Sequence, residues 1–127
     1  MLDHIAIATR DAAAMRKLYE LIGFAVHAVE EVPSQKVTAT FLELDGVHVE
    51  LLEPTSEDSS VAKAIAKRGE GLHHLAFRVA SLTEAMARLK AEGYSFIYDE
   101  PQPGAGGKKI NFIHPKDGGG VLVELCE

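Results

Sequence analysis

Two histidines and two glutamates stand at matched places in this sequence, and together they could hold a cation. His4 lies in Leu2-Asp3-His4-Ile5-Ala6-Ile7-Ala8 and His74 in Gly71-Leu72-His73-His74-Leu75-Ala76-Phe77-Arg78-Val79, 70 residues later. The same offset carries Ala6 onto Ala76, Asp11 onto Ser81 and Gly23 onto Gly93. A second offset, of 74, carries Val49-Glu50-Leu51-Leu52-Glu53 onto Val123-Glu124-Leu125-Cys126-Glu127. Each half of the chain thus opens on a segment with a histidine and closes on one with a glutamate. Two imidazoles and two carboxylates from duplicated halves form a donor set for a divalent metal.

Each residue also has a plainer reading. Glu50 between Val49 and Leu51, and Glu124 between Val123 and Leu125, could be the solvent-facing members of amphipathic strands. A carboxylate buried in such surroundings is costly unless paired, hydrogen-bonded or bound to a cation, and the recurrence with His4 and His74 favours the second case. His73 competes with His74, but His73 aligns with Asp3 and consecutive strand residues face opposite ways. His27 and His48 have no repeat partner and read as surface residues. His114, before Pro115, either lines a ligand pocket or ends a strand. Cys126 occupies the place of Leu52 in the repeat and reads as a small strand residue.

The elements that must position these groups follow from periodicity and punctuation. Leu2–Ala8 alternates as a strand with His4 on the face away from the isoleucines. Asp11 caps a helix whose Met15, Leu18, Tyr19 and Ile22 keep helical spacing, and Gly23 stops it. Residues 24–32, 37–44 and 47–53 read as strands, the last two joined by an Asp45-Gly46 hairpin turn. Residues 55–70 connect the halves, with Ser56-Glu57-Asp58 capping a short helix through Arg68. The second half repeats the order: the His74 strand, a helix capped by Ser81 with Leu82, Ala85, Met86 and Leu89 as its stripe, and strands at 94–98, 110–114 and 121–127. Residues 99–109 form a loop and residues 115–120 a turn. The expected class is α+β, one domain of two tandem βαβββ modules, 1–54 and 71–127, with the connecting helix at 55–70.

At 127 residues and 46% apolar content the chain can bury a core of its own. A formal charge of −6, with no basic run longer than Lys108-Lys109, speaks against a nucleic-acid surface. No apolar run approaches the ~20 residues that span a bilayer. No charged and apolar leader opens the sequence, so a signal peptide is not expected. The single cysteine cannot form an internal disulfide, which suits a cytoplasmic protein. Gly104-Ala105-Gly106-Gly107-Lys108-Lys109 offers backbone N–H groups and two ammonium groups to a phosphate, without the order of a Walker loop.

The duplicated βαβββ modules, with candidate ligands on first and last strands, resemble the vicinal oxygen chelate superfamily, whose cupped mixed sheet surrounds a divalent metal. Within it, Leu2-Asp3-His4-Ile5-Ala6, Glu50-Leu51-Leu52-Glu53-Pro54, Arg68-Gly69-Glu70-Gly71-Leu72-His73-His74, Asp99-Glu100-Pro101, Pro103-Gly104-Ala105-Gly106-Gly107 and the segment from His114-Pro115-Lys116 to Glu124-Leu125 resemble the methylmalonyl-CoA epimerases. The resemblance covers nearly the whole chain. It implies interconversion of (R)- and (S)-methylmalonyl-CoA, as in propionate metabolism, by loss and return of the C2 proton through a metal-stabilised enolate. It implies His4, Glu50, His74 and Glu124 as ligands of one ion per chain, Co²⁺ first, with Ni²⁺, Mn²⁺, Zn²⁺ or Fe²⁺ also suited to the set, and it implies a homodimer.

Some members carry Gln at the position matching Glu50 and a glutamate base at the position matching Ala39. Ala39 has no acid–base group, so Glu50 and Glu124 are expected to be the two bases, with Glu43 in reserve. Lys108, Lys109 and Lys116, with His114, are the candidates for the CoA moiety. The alternatives are a glyoxalase I-like enzyme acting on a glutathione hemithioacetal, and a non-catalytic binding protein of the same fold.

Overall fold

The computed structural model describes all residues, Met1–Glu127. Two compact units divide it: His4–His73, and His74–Glu127 together with Met1–Asp3. Eight strands and three α-helices follow the chain as β1 (Leu2–Ala8), α1 (Ala12–Ile22), β2 (Ala25–Val32), β3 (Val37–Leu44), β4 (Val47–Pro54), α2 (Ser60–Arg68), β5 (Gly71–Arg78), α3 (Leu82–Ala91), β6 (Gln102–Pro103), β7 (Lys109–Ile113) and β8 (Val123–Cys126). The order is βαβββ twice with α2 between, so the class is α+β as expected. No helix is long and apolar enough to cross a membrane.

In the unit His4–His73, β1 runs parallel to β4, and β3 is antiparallel to both β4 and β2. Asp11 caps α1 by accepting from the Ala14 N–H, and Gly23, at φ 124°, ends the helix in a backbone region that favours glycine. Met15 and Tyr19 of α1 pack on Leu42, Val49 and Leu51, with Tyr19 and Phe24 edge to face at 5.4 Å. The slip in the β2 alternation is a register shift between Val26 and Ala28, a bulge that leaves His27 exposed. Asp45 and Gly46 both take positive φ, as a two-residue hairpin with strand-matched twist requires.

The connecting helix begins at Ser60, later than the expected cap at 56–58 would place it. Ser59, not Ser56-Glu57-Asp58, is its cap: the buried Ser59 hydroxyl accepts from the Ala62 N–H at 2.9 Å. Ser56 and Asp58 are instead hydrogen-bonded to each other, and Asp58 also pairs with Lys36.

In the second unit β5 runs parallel to β8, and β7 is antiparallel to β8 and β6. Ser81 caps α3, and the Leu82 N–H donates to Glu127 Oε2 at 2.7 Å. Leu82, Ala85 and Met86 bury against Leu125.

The strand expected at 94–98 does not form; only a Phe96–Ile113 bridge remains. Asn111, fully buried, explains the interruption. Its Oδ1 accepts from the Tyr98 N–H at 3.2 Å and its Nδ2 donates to the Tyr98 carbonyl at 2.9 Å, so a side chain stands where the ladder would continue. The paired strand of the module is the two-residue β6, and Pro103, with no N–H to give, keeps it short at the sheet edge. The strand expected at 121–127 starts only at Val123, because the Val121 N–H closes the preceding turn onto the Gly118 carbonyl.

Candidate functional site

The same four-residue arrangement is built once in each unit. In the first, the parallel register sets Ala6 of β1 beside Glu50 of β4, and His4, two residues before Ala6, shares its face. Ala6 presents only a methyl group, which leaves room for Glu50 Oε2 to reach His4 Nε2 at 3.3 Å. On the other side of Glu50, directly opposite in the antiparallel ladder, stands Phe41. In the second unit Ala76 of β5 lies beside Glu124 of β8, His74 Nε2 lies 3.0 Å from Glu124 Oε2, and Phe112 stands opposite Glu124.

All four donors are buried: His4 is 4% exposed, Glu50 6%, His74 3% and Glu124 5%. The solvent-facing reading of the two glutamates is therefore wrong, and the buried one is right. Burial pushes the His74 imidazole down to about 3, so at neutral pH it carries no charge and keeps a nitrogen lone pair for a ligand. The Phe112 ring meets this imidazole edge-on at 5.5 Å, and Tyr98 packs on Phe112 at 6.5 Å. A neutral imidazole nitrogen and a carboxylate oxygen this close, walled by aromatic and aliphatic groups, form half of a metal-ligand set or a base held by its neighbour.

Phe41 and Phe112 do not emerge from the repeat in the sequence. They precede their glutamates by 9 and 12 residues respectively, because the hairpin between β3 and β4 is shorter than the turn between β7 and β8. The offset that aligns the glutamates therefore misaligns the phenylalanines. The signal that could have found them is a Phe near the middle of the strand preceding each glutamate strand.

The remaining candidates divide. His73 is buried on the face of β5 opposite to His74. Glu43 accepts from the Gly46 N–H at 3.2 Å and sits opposite His48, which commits it to the hairpin. Ala39 is fully buried opposite Leu52. Lys108 Nζ lies 2.5 Å from Oδ2 of the buried Asp3, whose Oδ1 takes Arg78 Nη2 at 2.5 Å. Lys109 begins β7 rather than ending the loop, and its exposed ammonium approaches Glu127 Oε1 at 3.5 Å. His114 Nδ1 accepts from the Lys116 N–H at 3.3 Å and so caps the turn Pro115–Asp117, while the Lys116 side chain is exposed. The glycine-rich loop is seated, not a free flap: a Cβ at Gly104 would lie 2.7 Å from Ile110 Cγ2. It turns once at Ala105–Gly107 and opens no helix. Burial raises the Cys126 thiol to about 11, which keeps it protonated and supports its reading as a strand residue.

Fold and site define a class. The family profile described as the Glyoxalase/Bleomycin resistance protein/Dioxygenase superfamily matches residues 3–112. An uncharacterized protein of Bacillus subtilis is 43% identical over 99% of this chain and 91% of its own length. The ethylmalonyl-CoA/methylmalonyl-CoA epimerase of Cereibacter sphaeroides is 39% identical over 98% of this chain and 95% of its own. Among solved structures, Streptomyces coelicolor methylmalonyl-CoA epimerase in complex with 2-nitronate-propionyl-CoA superimposes with a TM-score of 0.94 at 42% identity, over 99% of this chain and 92% of that one. The chain belongs to this superfamily and, within it, to the methylmalonyl-CoA epimerase family, and is an enzyme of that kind.

Proposed function

We propose that the chain interconverts (R)- and (S)-methylmalonyl-CoA by removing and returning the C2 proton, and that His4, Glu50, His74 and Glu124 hold one divalent ion for this purpose. The observation that carries the reading is the pair of matched His–Glu contacts, His4–Glu50 at 3.3 Å and His74–Glu124 at 3.0 Å, each buried and each walled by a phenylalanine. The donor set suits a borderline divalent metal: imidazole nitrogen and carboxylate oxygen, with His74 kept neutral by burial. A bound ion supplies Lewis-acid charge against the negative charge that develops when a carbon acid ionises.

The chain's own groups do the rest. C2 lies between a thioester and a carboxylate, so its proton is acidified but still needs a base placed within hydrogen-bond reach. Glu50 and Glu124, one from each module, are the two bases, each serving one face of the carbon. Ala39, a methyl group, leaves this role to them. Phe41 and Phe112 exclude water from the side of each carboxylate, which strengthens its interaction with the reacting proton. The same reading makes the chain one domain acting as a homodimer in the cytoplasm, where Cys126 stays a thiol.

Exchange of the C2 proton in D₂O tests the assignment of bases. Glu50→Gln and Glu124→Gln should each retain metal in elemental analysis yet lose deuterium uptake from one epimer. Full exchange from both epimers in both variants would remove these residues as bases. A cobalt titration saturating at two ions per chain would remove the shared site.

A further inference from the structure

Asp3 is almost fully buried, and two cations reach it. Arg78 donates through both Nε and Nη2 to Oδ1, and Lys108 donates to Oδ2. Taken together the three groups carry a net positive charge, in a chain whose overall charge is −6. One carboxylate does not need both cations, because Arg78 alone can keep a buried acid paired.

The position of Lys108 gives the surplus charge a direction. Lys108 has extended backbone, at φ −72° and ψ 156°, and leads into β7. Alternation puts it on the same face as Ile110 and Phe112, the face that also carries Cys126 and Glu124. Four residues of strand separate Lys108 from Phe112, roughly 13 Å, a span that an extended phosphopantetheine arm covers between its thioester and its phosphates. Gly106 and Gly107, at φ 66° and 72°, precede Lys108 and let its backbone turn without side-chain hindrance.

We propose that Lys108 is a transferable cation, exchanging between Asp3 and a phosphate of the coenzyme A thioester, while Arg78 keeps Asp3 paired. The inference rests on the substrate class proposed above and names the residue that meets its charged end. Asp3 is then a competitor that sets how strongly the ammonium is offered, and an anion must displace it.

Isothermal titration of the full-length chain with coenzyme A tests this. Lys108→Met should weaken binding roughly tenfold, the size of one charge-assisted hydrogen bond, and should flatten its salt dependence. Asp3→Asn, by removing the competitor, should tighten binding a few-fold, and Asp3→Asn combined with Lys108→Met should bind like Lys108→Met alone. In the unaltered protein, coenzyme A should shield Lys108 from acetic anhydride while leaving Lys63 reactive, a readout that needs no variant to fold. Wild-type affinity in Lys108→Met, weaker binding in Asp3→Asn, or an unshielded Lys108 overturns the exchange and leaves the substrate class standing. A wild-type chain that binds cobalt but not coenzyme A overturns the substrate class and this inference with it.

Discussion

Phe112 lies directly opposite Glu124 in the β7–β8 ladder, and its ring meets the His74 imidazole edge-on at 5.5 Å. The ring therefore touches one candidate ligand and stands across from the other. Such contacts fix the orientation of an imidazole without consuming its nitrogens. Phe112→Ala should destabilise the chain by about 3 kcal/mol, as truncation of a buried ring does. Phe112→Leu, costing about 1 kcal/mol, should still fold but bind cobalt less tightly, because the leucine leaves His74 free to rotate. Chemical denaturation and a cobalt titration measure the two effects, and unchanged cobalt affinity in Phe112→Leu would assign the ring to packing alone.

The proposed single ion would make each histidine indispensable to the other module's pair. At a free metal concentration about a hundredfold above its dissociation constant, binding should stabilise the folded chain by about 2.7 kcal/mol, seen as a raised melting temperature that a chelator reverses. His4→Ala and His74→Ala should each abolish the rise. If only one of them does, the ion belongs to one unit.

Glu127 reports on the start of α3. The Leu82 N–H, donating at 2.7 Å, holds its carboxyl below the ordinary 4.5, with Lys109 assisting. A depressed folded-state pKa contributes stability that is present above the ordinary value and is lost as pH falls through the folded one. The Leu82 amide resonance should therefore titrate with a midpoint below 4.5, and Glu127→Gln should remove both that transition and its share of the acid-limb slope. A midpoint at 4.5 or above would contradict the contact.

Ser59 is 2% exposed, and its hydroxyl accepts from the Ala62 N–H, one of the donors in the first turn of α2 that have no partner within the helix. Ser59→Ala should cost about 1 kcal/mol in urea denaturation. Ser56→Ala, at the residue that local sequence favoured as part of the cap, should cost less. The opposite ranking would restore the cap to 56–58.

Cys126 is fully buried, with its thiol raised to about 11. Iodoacetamide should leave it unmodified in the native chain at neutral pH and label it in urea, as intact mass will show.

Local chemistry determined much of this protein from sequence alone. A repeat of His4 at His74 and of Glu50 at Glu124, together with strand alternation, is enough to put each histidine on the face of its neighbouring glutamate, because side-chain direction in a strand has a period of two. Capping by Asp11 and Ser81, and the Asp45-Gly46 turn, are likewise decided within a few residues of chain. Tertiary structure decided whatever depends on residues distant in sequence. Asn111 interrupts the strand expected at 94–98 by bonding to Tyr98, and no local pattern at Tyr98 announces a partner 13 residues away. Phe41 and Phe112 acquire their places from ladder register, which hairpins of unequal length shift. Lys108 read as a free ammonium for a phosphate, and Asp3 as an ordinary strand residue. Only folding brought together two residues 105 positions apart and made a buried carboxylate the rival of any ligand for that charge.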